Sequence, residues 1–460
     1  MENDAQTNEN IDLMRGEPEM AIKKLAIPMV LAMLFIAAYY LVDGMWVVGL
    51  GQAAIAGIGF VSPFFMIIVG VSMGLGTGAS SSISRFVGAG DHEYASSSAM
   101  HSILILIITS ILITVLLLLL QEPLLIVFGA SGQSLSEGMK YGTPLFLGSF
   151  ALIVSNGAIG ILRGEGDMKM SMYLMGAAVI LNAILDPVFI YKLNLGSAGA
   201  SIATVFSAFI VLIIMAYWIL AKKNTYVDIN FRNFKFESNI AFDILKVGIP
   251  SSMEMILQNI AMTMYFIFIS MFGGDYGIAV FSSAQRLYSF AIFPINAIGA
   301  TVTTVSGSAF GAKNGDYISR SHIYGSKLSM ILGTLFLIVF LLFSHPLARM
   351  LAFTPETSHL VGGIVSFLQV ATLCLPLTSL GTASSYFYQG IGKGATSLAW
   401  TVIREIIFTN VLIYVFGMLL GWGLIGVWAG LAAGRSLAGV LNFSFARYTI
   451  KKIRESVDFT

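Results

Sequence analysis

Asn182-Ala183-Ile184-Leu185-Asp186-Pro187 places an acid and a proline in the middle of a segment otherwise fit to cross a lipid bilayer. Apolar residues run from about Met170 to Tyr191, enough to span ~30 Å of hydrocarbon at ~1.5 Å per residue. An ionised Asp at that depth costs about 3 kcal/mol even on the lenient insertion scale, so Asp186 is expected to face a protein interior or a wet cavity. Asn182 lies one helical turn earlier on the same face. Pro187 cannot donate the hydrogen bond that would close the turn, which frees the carbonyl of Ala183 for a cation, a water or a neighbouring helix. The stretch reads as a polar, bent cluster inside a membrane.

The rest of the chain agrees with that setting. Of its 460 residues 57% are apolar and 11% charged, and the mean hydropathy is +0.84; a soluble domain carries roughly 25% charged residues. A net charge of +1 carries no nucleic-acid signal. The single cysteine, Cys374, excludes an internal disulfide and a Cys-rich metal site. The polar, acidic stretch from Met1 to Lys24 has no short apolar core followed by a small-residue cleavage site, so the first spanning helix is expected to direct insertion.

Spanning-length apolar runs fall at about 25–48, 57–84, 99–120, 141–162, 170–191 and 199–221, then 246–271, 278–304, 325–343, 361–388, 395–420 and 424–446. The expected fold is an all-α polytopic membrane protein with twelve transmembrane helices in two six-helix lobes. Its parts are a cytoplasmic N-terminal segment (1–24), an N-lobe (25–221), a cytoplasmic linker (222–245), a C-lobe (246–446) and a cytoplasmic tail (447–460). Placing the N-terminus inside leaves the outer loops only Lys140, Lys192 and Arg349, while nearly all other loop Lys and Arg fall inside. This positive-inside bias predicts both termini in the cytoplasm.

The halves also repeat. Leu25-Ala26-Ile27-Pro28 recurs as Val247-Gly248-Ile249-Pro250 at offset 222, and Arg163-Gly164-Glu165-Gly166 as Gln389-Gly390-Ile391-Gly392 at offset 226. Gly88-Ala89-Gly90-Asp91 recurs in Gly311-Ala312-Lys313-Asn314-Gly315-Asp316, read with two residues inserted before the acid. An even helix count per half gives both halves the same orientation, related by an axis along the membrane normal.

Asp43 is the second buried acid. It lies about 18 residues into the first helix, as Asp186 lies about 16 into the fifth, so both sit roughly 24 to 27 Å from the inner face. Thr204 falls in the same layer, Tyr39 is one turn from Asp43, and Asn156 on the fourth helix is a further member. Two acids in a low-dielectric pocket do not both ionise cheaply, so a shared proton or bound cation is expected there; the plainer alternative is that each Asp pins neighbouring helices through a donor. Pro28 interrupts the ladder of the helix carrying Asp43, as a hinge or, like Pro250, as repeat architecture.

The C-terminal half does not repeat the acids: the offset partner of Asp43 is Tyr265 and that of Asp186 is Leu412. Its intramembrane charges are Glu254, Arg286, Glu405 and Arg435, with Arg404 beside Glu405 but pointing elsewhere on an α-helix, so those two are not expected to pair. Glu254, one turn before Gln258, is a possible C-lobe cation site, the alternative being a salt bridge with Arg286 or Arg435. Gly74-Leu75-Gly76-Thr77-Gly78 follows no strand and reads as helix packing, not a phosphate loop. No histidine stands in a zinc spacing, and nothing forms a nucleophile constellation, so neither an enzyme nor a transition-metal centre is indicated. Met and Phe are numerous, and a subset of them would suit a forgiving pocket for flat apolar ligands.

With Pro28 and Asp43 in helix one, Asn182 with Asp186-Pro187 in helix five, Arg163-Gly164-Glu165-Gly166-Asp167 before it and Gly248-Ile249-Pro250 opening helix seven, the chain resembles the multidrug and toxic compound extrusion (MATE) transporters. The Asn-x-x-x-Asp-Pro run and the Pro28 to Asp43 spacing look like the DinF-like branch, including its archaeal members. The resemblance implies a V-shaped pair of lobes and alternating access. It further implies export of cationic or amphipathic drugs in exchange for H⁺ or Na⁺ across the cell membrane; no other cofactor is expected, and the chain is expected to be a monomer. It implies that Asp43 and Asp186, with Tyr39, Asn156, Asn182 and Thr204, form the coupling site and that Pro28 bends helix one. Where other branches carry a functional glutamate in helix seven this chain has Gln258. The rival expectation is a lipid-linked precursor flippase of a related branch, which would place a basic cluster in the central cavity.

Overall fold

A computed structural model describes residues 2–221, 225–230, 232 and 234–457. The helices in chain order are α1 (Glu2–Arg15), α2 (Pro18–Val48), α3 (Gln52–Ala89), α4 (His92–Val127), α5 (Gly132–Leu147), α6 (Ser149–Gly164), α7 (Met168–Pro187) and α8 (Gly196–Ala216). They continue as α9 (Ser238–Gly311), α10 (Gly315–Leu342), α11 (Ser344–Leu351), α12 (Val361–Val370), α13 (Leu375–Gly390), α14 (Gly394–Thr401), α15 (Thr409–Tyr414) and α16 (Gly423–Val457). Twelve spans result, because α5 and α6 form one crossing bent by 50° at Gly148 and α9 is two crossings broken at Gly274 (φ 53°, ψ −145°). That backbone conformation is open to glycine and strained for other residues. The first six spans form one lobe and the last six the other, a V-shaped pair.

The repeated motifs are helix junctions. Gly90 (φ 80°) and Lys313 (φ 53°) end α3 and α9 in the left-handed region. Asp91 and Asn314 then cap the next helices, their side chains accepting from Tyr94 N at 3.1 Å and Tyr317 N at 3.0 Å. The structural counterpart of Asp91 is therefore Asn314 and not Asp316: the repeat continues without the two-residue insertion the sequence reading assumed, since a cap needs a short acceptor side chain and Asn supplies one as well as Asp.

At the end of the bundle that carries the α3–α4 and α9–α10 junctions the lobes are zipped together. A Cβ on Gly88 would meet the carbonyl of Ser308, and one on Gly311 the carbonyl of Arg85, two clashes related by the same offset of 223. Ser81 Oγ donates to the carbonyl of Gln389, and Thr304 Oγ1, its repeat counterpart, donates to the carbonyl of Arg163 at 3.0 Å. Higher up, Gly74 and Gly78 let Ser252 and Gly248 approach. Small residues at membrane helix interfaces bring backbones close enough for dispersion and hydrogen bonds to replace the hydrophobic drive. Arg85 adds an ion pair with Asp243, which Lys246 also contacts at 2.7 Å.

The N-terminal segment is ordered and spans that seam. Ile11 and Met14 of α1 are buried, Ser308 Oγ donates to the carbonyl of Met14 at 3.0 Å, and Arg15 Nε donates to the carbonyl of Val87 at 2.9 Å. Beyond it, Arg320 on α10 holds Glu17 and Glu19. The interlobe linker is tied to the first lobe, where Glu165 Oε2 accepts from Tyr226 N at 2.9 Å and Val227 N at 3.3 Å. Burial, with the nearby Asp167 charge adding to it, pushes the Glu165 carboxyl well above its usual range, against those two amides.

Two outcomes test this packing. Gly88→Val overfills the seam and weakens the closed state by about 1–3 kcal/mol; labelling of a cysteine placed at Ser84, in a Cys374→Ala background, by an impermeant maleimide added on the seam's side of the membrane is expected to accelerate, and an unchanged rate would remove the seam as a barrier. The raised Glu165 carboxyl contributes stability that is fully present below the unfolded-state value and lost as pH rises through the folded one. The melting temperature should therefore fall over that window in the parent and stay flatter in Glu165→Gln; parallel slopes would contradict it.

Candidate functional site

Asp186 is fully buried and Asn182 is 4% exposed, so the fifth crossing turns both inward as the spacing required. Asn182 Nδ2 donates to Asp186 Oδ1 at 3.3 Å and to Thr204 Oγ1 at 3.3 Å. Thr204 Oγ1 donates in turn to the carbonyl of Ala200 at 3.1 Å. One amide thus joins the carboxylate on α7 to the hydroxyl on α8. The helix absorbs Pro187 by widening: Val188–Lys192 is a π-helical turn, closed by Leu193 N donating to the carbonyl of Val188 at 2.9 Å. Gly199 of α8 lets that turn approach, since a Cβ there would meet the carbonyl of Phe189.

The first crossing runs beside this cluster. α2 packs along α7, and Tyr191 OH donates to the carbonyl of Trp46 at 2.6 Å, clamping the C-terminal end of α2 to the π turn. The side chains of Tyr39 and Asp43 lie outside the described residues. Pro28 is buried within α2, which continues through it as one helix. Asn156 is not brought into the cluster: it is exposed, and its amide donates to the carbonyl of Leu152 on its own helix at 2.9 Å. The set of carboxylate, amide and hydroxyl oxygens is one of hard donors, suited to a proton or to an oxygen-liking cation.

The second lobe holds a different network. Glu254 is buried, and both its carboxylate oxygens lie 3.4 Å from Gln389 Nε2, which also reaches Ser397 Oγ at 3.3 Å. Gln258 is exposed one turn away and makes no bond with Glu254. The salt-bridge alternative for Glu254 fails, because Arg435 is committed to Glu405 at 3.1 Å and Arg286 makes no ion pair among the described residues. Glu405 also accepts from Tyr265 OH at 2.7 Å and Arg404 Nε at 2.8 Å. The pairing of neighbours Arg404 and Glu405 corrects the expectation that they diverge. Val402–Phe408 is a π segment, in which successive side chains turn through less than in an α-helix. Its shifted ladder shows in Thr409 Oγ1 and Asn410 Nδ2, which donate five residues back to the carbonyls of Arg404 at 2.6 Å and Glu405 at 2.9 Å.

Sequence reasoning missed that Tyr265, the repeat partner of Asp43, is itself a member of the C-lobe network. The signal was present: the offset placed a hydrogen-bonding group there, in a lobe whose only deep acids were Glu254 and Glu405. The α1 brace left less trace: among the described side chains of that helix Ile11 and Met14 are the buried apolar ones.

A twelve-span, two-lobed helical bundle that buries a carboxylate in its fifth span has the architecture of a membrane transporter. The MatE family model matches residues 28–188 and 250–415, and the chain belongs to that family of multidrug efflux transporters. It is similar to the FAD transporter of Shewanella oneidensis, 23% identical over 356 residues, 76% of this chain and 77% of that one. It is similar to the multidrug export protein MepA of Staphylococcus aureus, 24% identical over 386 residues and 84% of each chain. A solved outward-facing multidrug resistance MATE family transporter superposes with a TM-score of 0.95 at 35% identity, covering 97% of this chain and 99% of that one.

Arg435→Gln would leave the buried Glu405 with a single guanidinium, a loss of about 3–5 kcal/mol. A lowered melting temperature in detergent is expected, with much of it recovered when Glu405 is also made Leu; a parent-like melt would show that the network does not brace the lobe.

Proposed function

We propose that the chain is a secondary antiporter of the cell membrane, exporting cationic or amphipathic organic compounds in exchange for H⁺ or Na⁺. The observation that carries the reading is Asp186, fully buried in a bilayer-spanning helix and bonded to the neutral amide of Asn182. Such a carboxylate is stabilised by a proton or a bound cation, and losing either makes the cluster rearrange. In this reading Asp43, on α2, is its partner, with Tyr39, Asn182 and Thr204 completing the shell and Asn156 joining it in another state of the cycle.

In the proposed cycle, loading of Asp43 and Asp186 from outside moves α2 about Pro28, reshapes the first lobe's wall of the cleft and releases the cargo. Discharge inward resets the site. The lobes 25–221 and 246–446 rock about the seam, the termini and linker 222–245 stay on the cytoplasmic side, and one copy suffices. The Glu254, Gln389 and Ser397 group is a secondary cation site, and Gln258 lines the cleft. The kinship with a multidrug exporter supports the cargo class.

The test is efflux of a fluorescent organic cation from proteoliposomes under an imposed pH gradient or an imposed Na⁺ gradient. One gradient is expected to drive efflux in the parent and to name the coupling ion, with Asp186→Asn at least about a hundredfold slower, as befits a loss of 2–3 kcal/mol in coupling. Equal gradient-driven efflux in the mutant would remove Asp186 from the mechanism.

A further inference from the structure

We propose that the C-lobe wall of the cleft carries an anion-binding site centred on Arg286, which takes the phosphate or carboxylate of a flat amphipathic cargo. The proposal rests on the export reading above and narrows its cargo class.

Arg286 lies in the eighth crossing, twelve residues past the Gly274 break, so it sits about 18 Å below the outer end of that helix. A stretched arginine does not reach the outer headgroups from that depth, and an arginine side chain at hydrocarbon depth faces water or a partner and not lipid. Arg286 is exposed and makes no hydrogen bond or ion pair among the described residues. The remaining surface for it is the wet cleft between the lobes, closed on the cytoplasmic side by the α3 and α9 seam.

The rest of the lobe does not neutralise it. Arg404 and Arg435 share the one carboxylate of Glu405, and Glu254 is engaged by the neutral Gln389. The three intramembrane arginines outnumber the two glutamates, and Arg286 is the one presented outward. Its helix face is polar at the right spacing. Ser282, one turn before, is exposed and makes no hydrogen bond among the described residues, which leaves its hydroxyl free to donate. Phe290, one turn after, is half-buried and offers an aromatic edge or face beside the guanidinium. A planar fork with a neighbouring hydroxyl matches a phosphate or carboxylate oxygen pair, and the adjacent ring matches an aromatic body. The acids of the first lobe are thereby kept for the coupling ion, while the second lobe reads the cargo's negative end.

The test uses full-length protein in phosphatidylcholine vesicles and compares riboflavin 5′-phosphate with riboflavin, two fluorescent probes that differ by the phosphate alone. The parent is expected to bind the phosphate form at least about tenfold tighter, an advantage of about 1.4 kcal/mol. In Arg286→Gln the two affinities should become equal, with Arg286→Lys keeping much of the difference. A parent without preference, or a preference unchanged in Arg286→Gln, overturns the site. Adding phosphatidylglycerol separates the sources: competition against the phosphate probe in the parent but not in Arg286→Gln assigns the site to a lipid phosphate, and its absence assigns it to a soluble cargo. Because this readout is equilibrium binding, it decides the site even if gradient-driven cation efflux of the parent fails and the export reading falls.

Discussion

Keeping one carboxylate out of water governs the architecture. Asp186 sits fully buried in a span that is otherwise apolar, and everything adjacent to it is arranged to make that tolerable: an amide one turn back, a hydroxyl across on α8, a proline that widens the helix into a π turn, and a glycine that lets the next helix close over it. None of these is a strong partner alone. The 3.3 Å hydrogen bond from the Asn182 amide is that of a neutral donor, which leaves the carboxylate's charge in place. In the proposed cycle that acid is the group that takes up and releases the coupling proton or cation.

The opposite solution appears in the other lobe. There Glu405 is surrounded by two guanidiniums and a phenol at hydrogen-bond distance, brought together by the π segment of the eleventh crossing. A carboxylate so neutralised is held in one state. The repeat thus places a responsive acid in one half and a braced acid in the other. Around both, the seam preserves the twofold relation, with Ser81 and Thr304 donating to carbonyls at matching positions. The two halves have diverged where charge is handled and stayed alike where backbones touch.

That contrast also explains what was legible in the sequence. Span positions, their pairing into halves and the inward face of Asn182 and Asp186 follow from hydropathy and helical period, both of which act locally. The junction motifs were visible as repeats, but their alignment was misjudged by two residues, because Asn314 and Asp316 are both capping types and only the helix start tells them apart. The Arg404–Glu405 pair was out of reach, since sequence spacing assumes an α-helical phase that the π segment breaks.

In the proposed cycle the charge state of Asp186 decides whether the seam is open or closed. The most direct measurement is a pulsed electron-spin distance between labels at Lys169, in the first turn of α7, and Lys393, which precedes α14, both exposed, titrated with pH and with Na⁺ in parent and Asp186→Asn. The parent distribution is expected to shift between a short and a long distance with one of the two ions, while Asp186→Asn holds a single distribution throughout. An identical ion-dependent shift in both proteins would contradict the account.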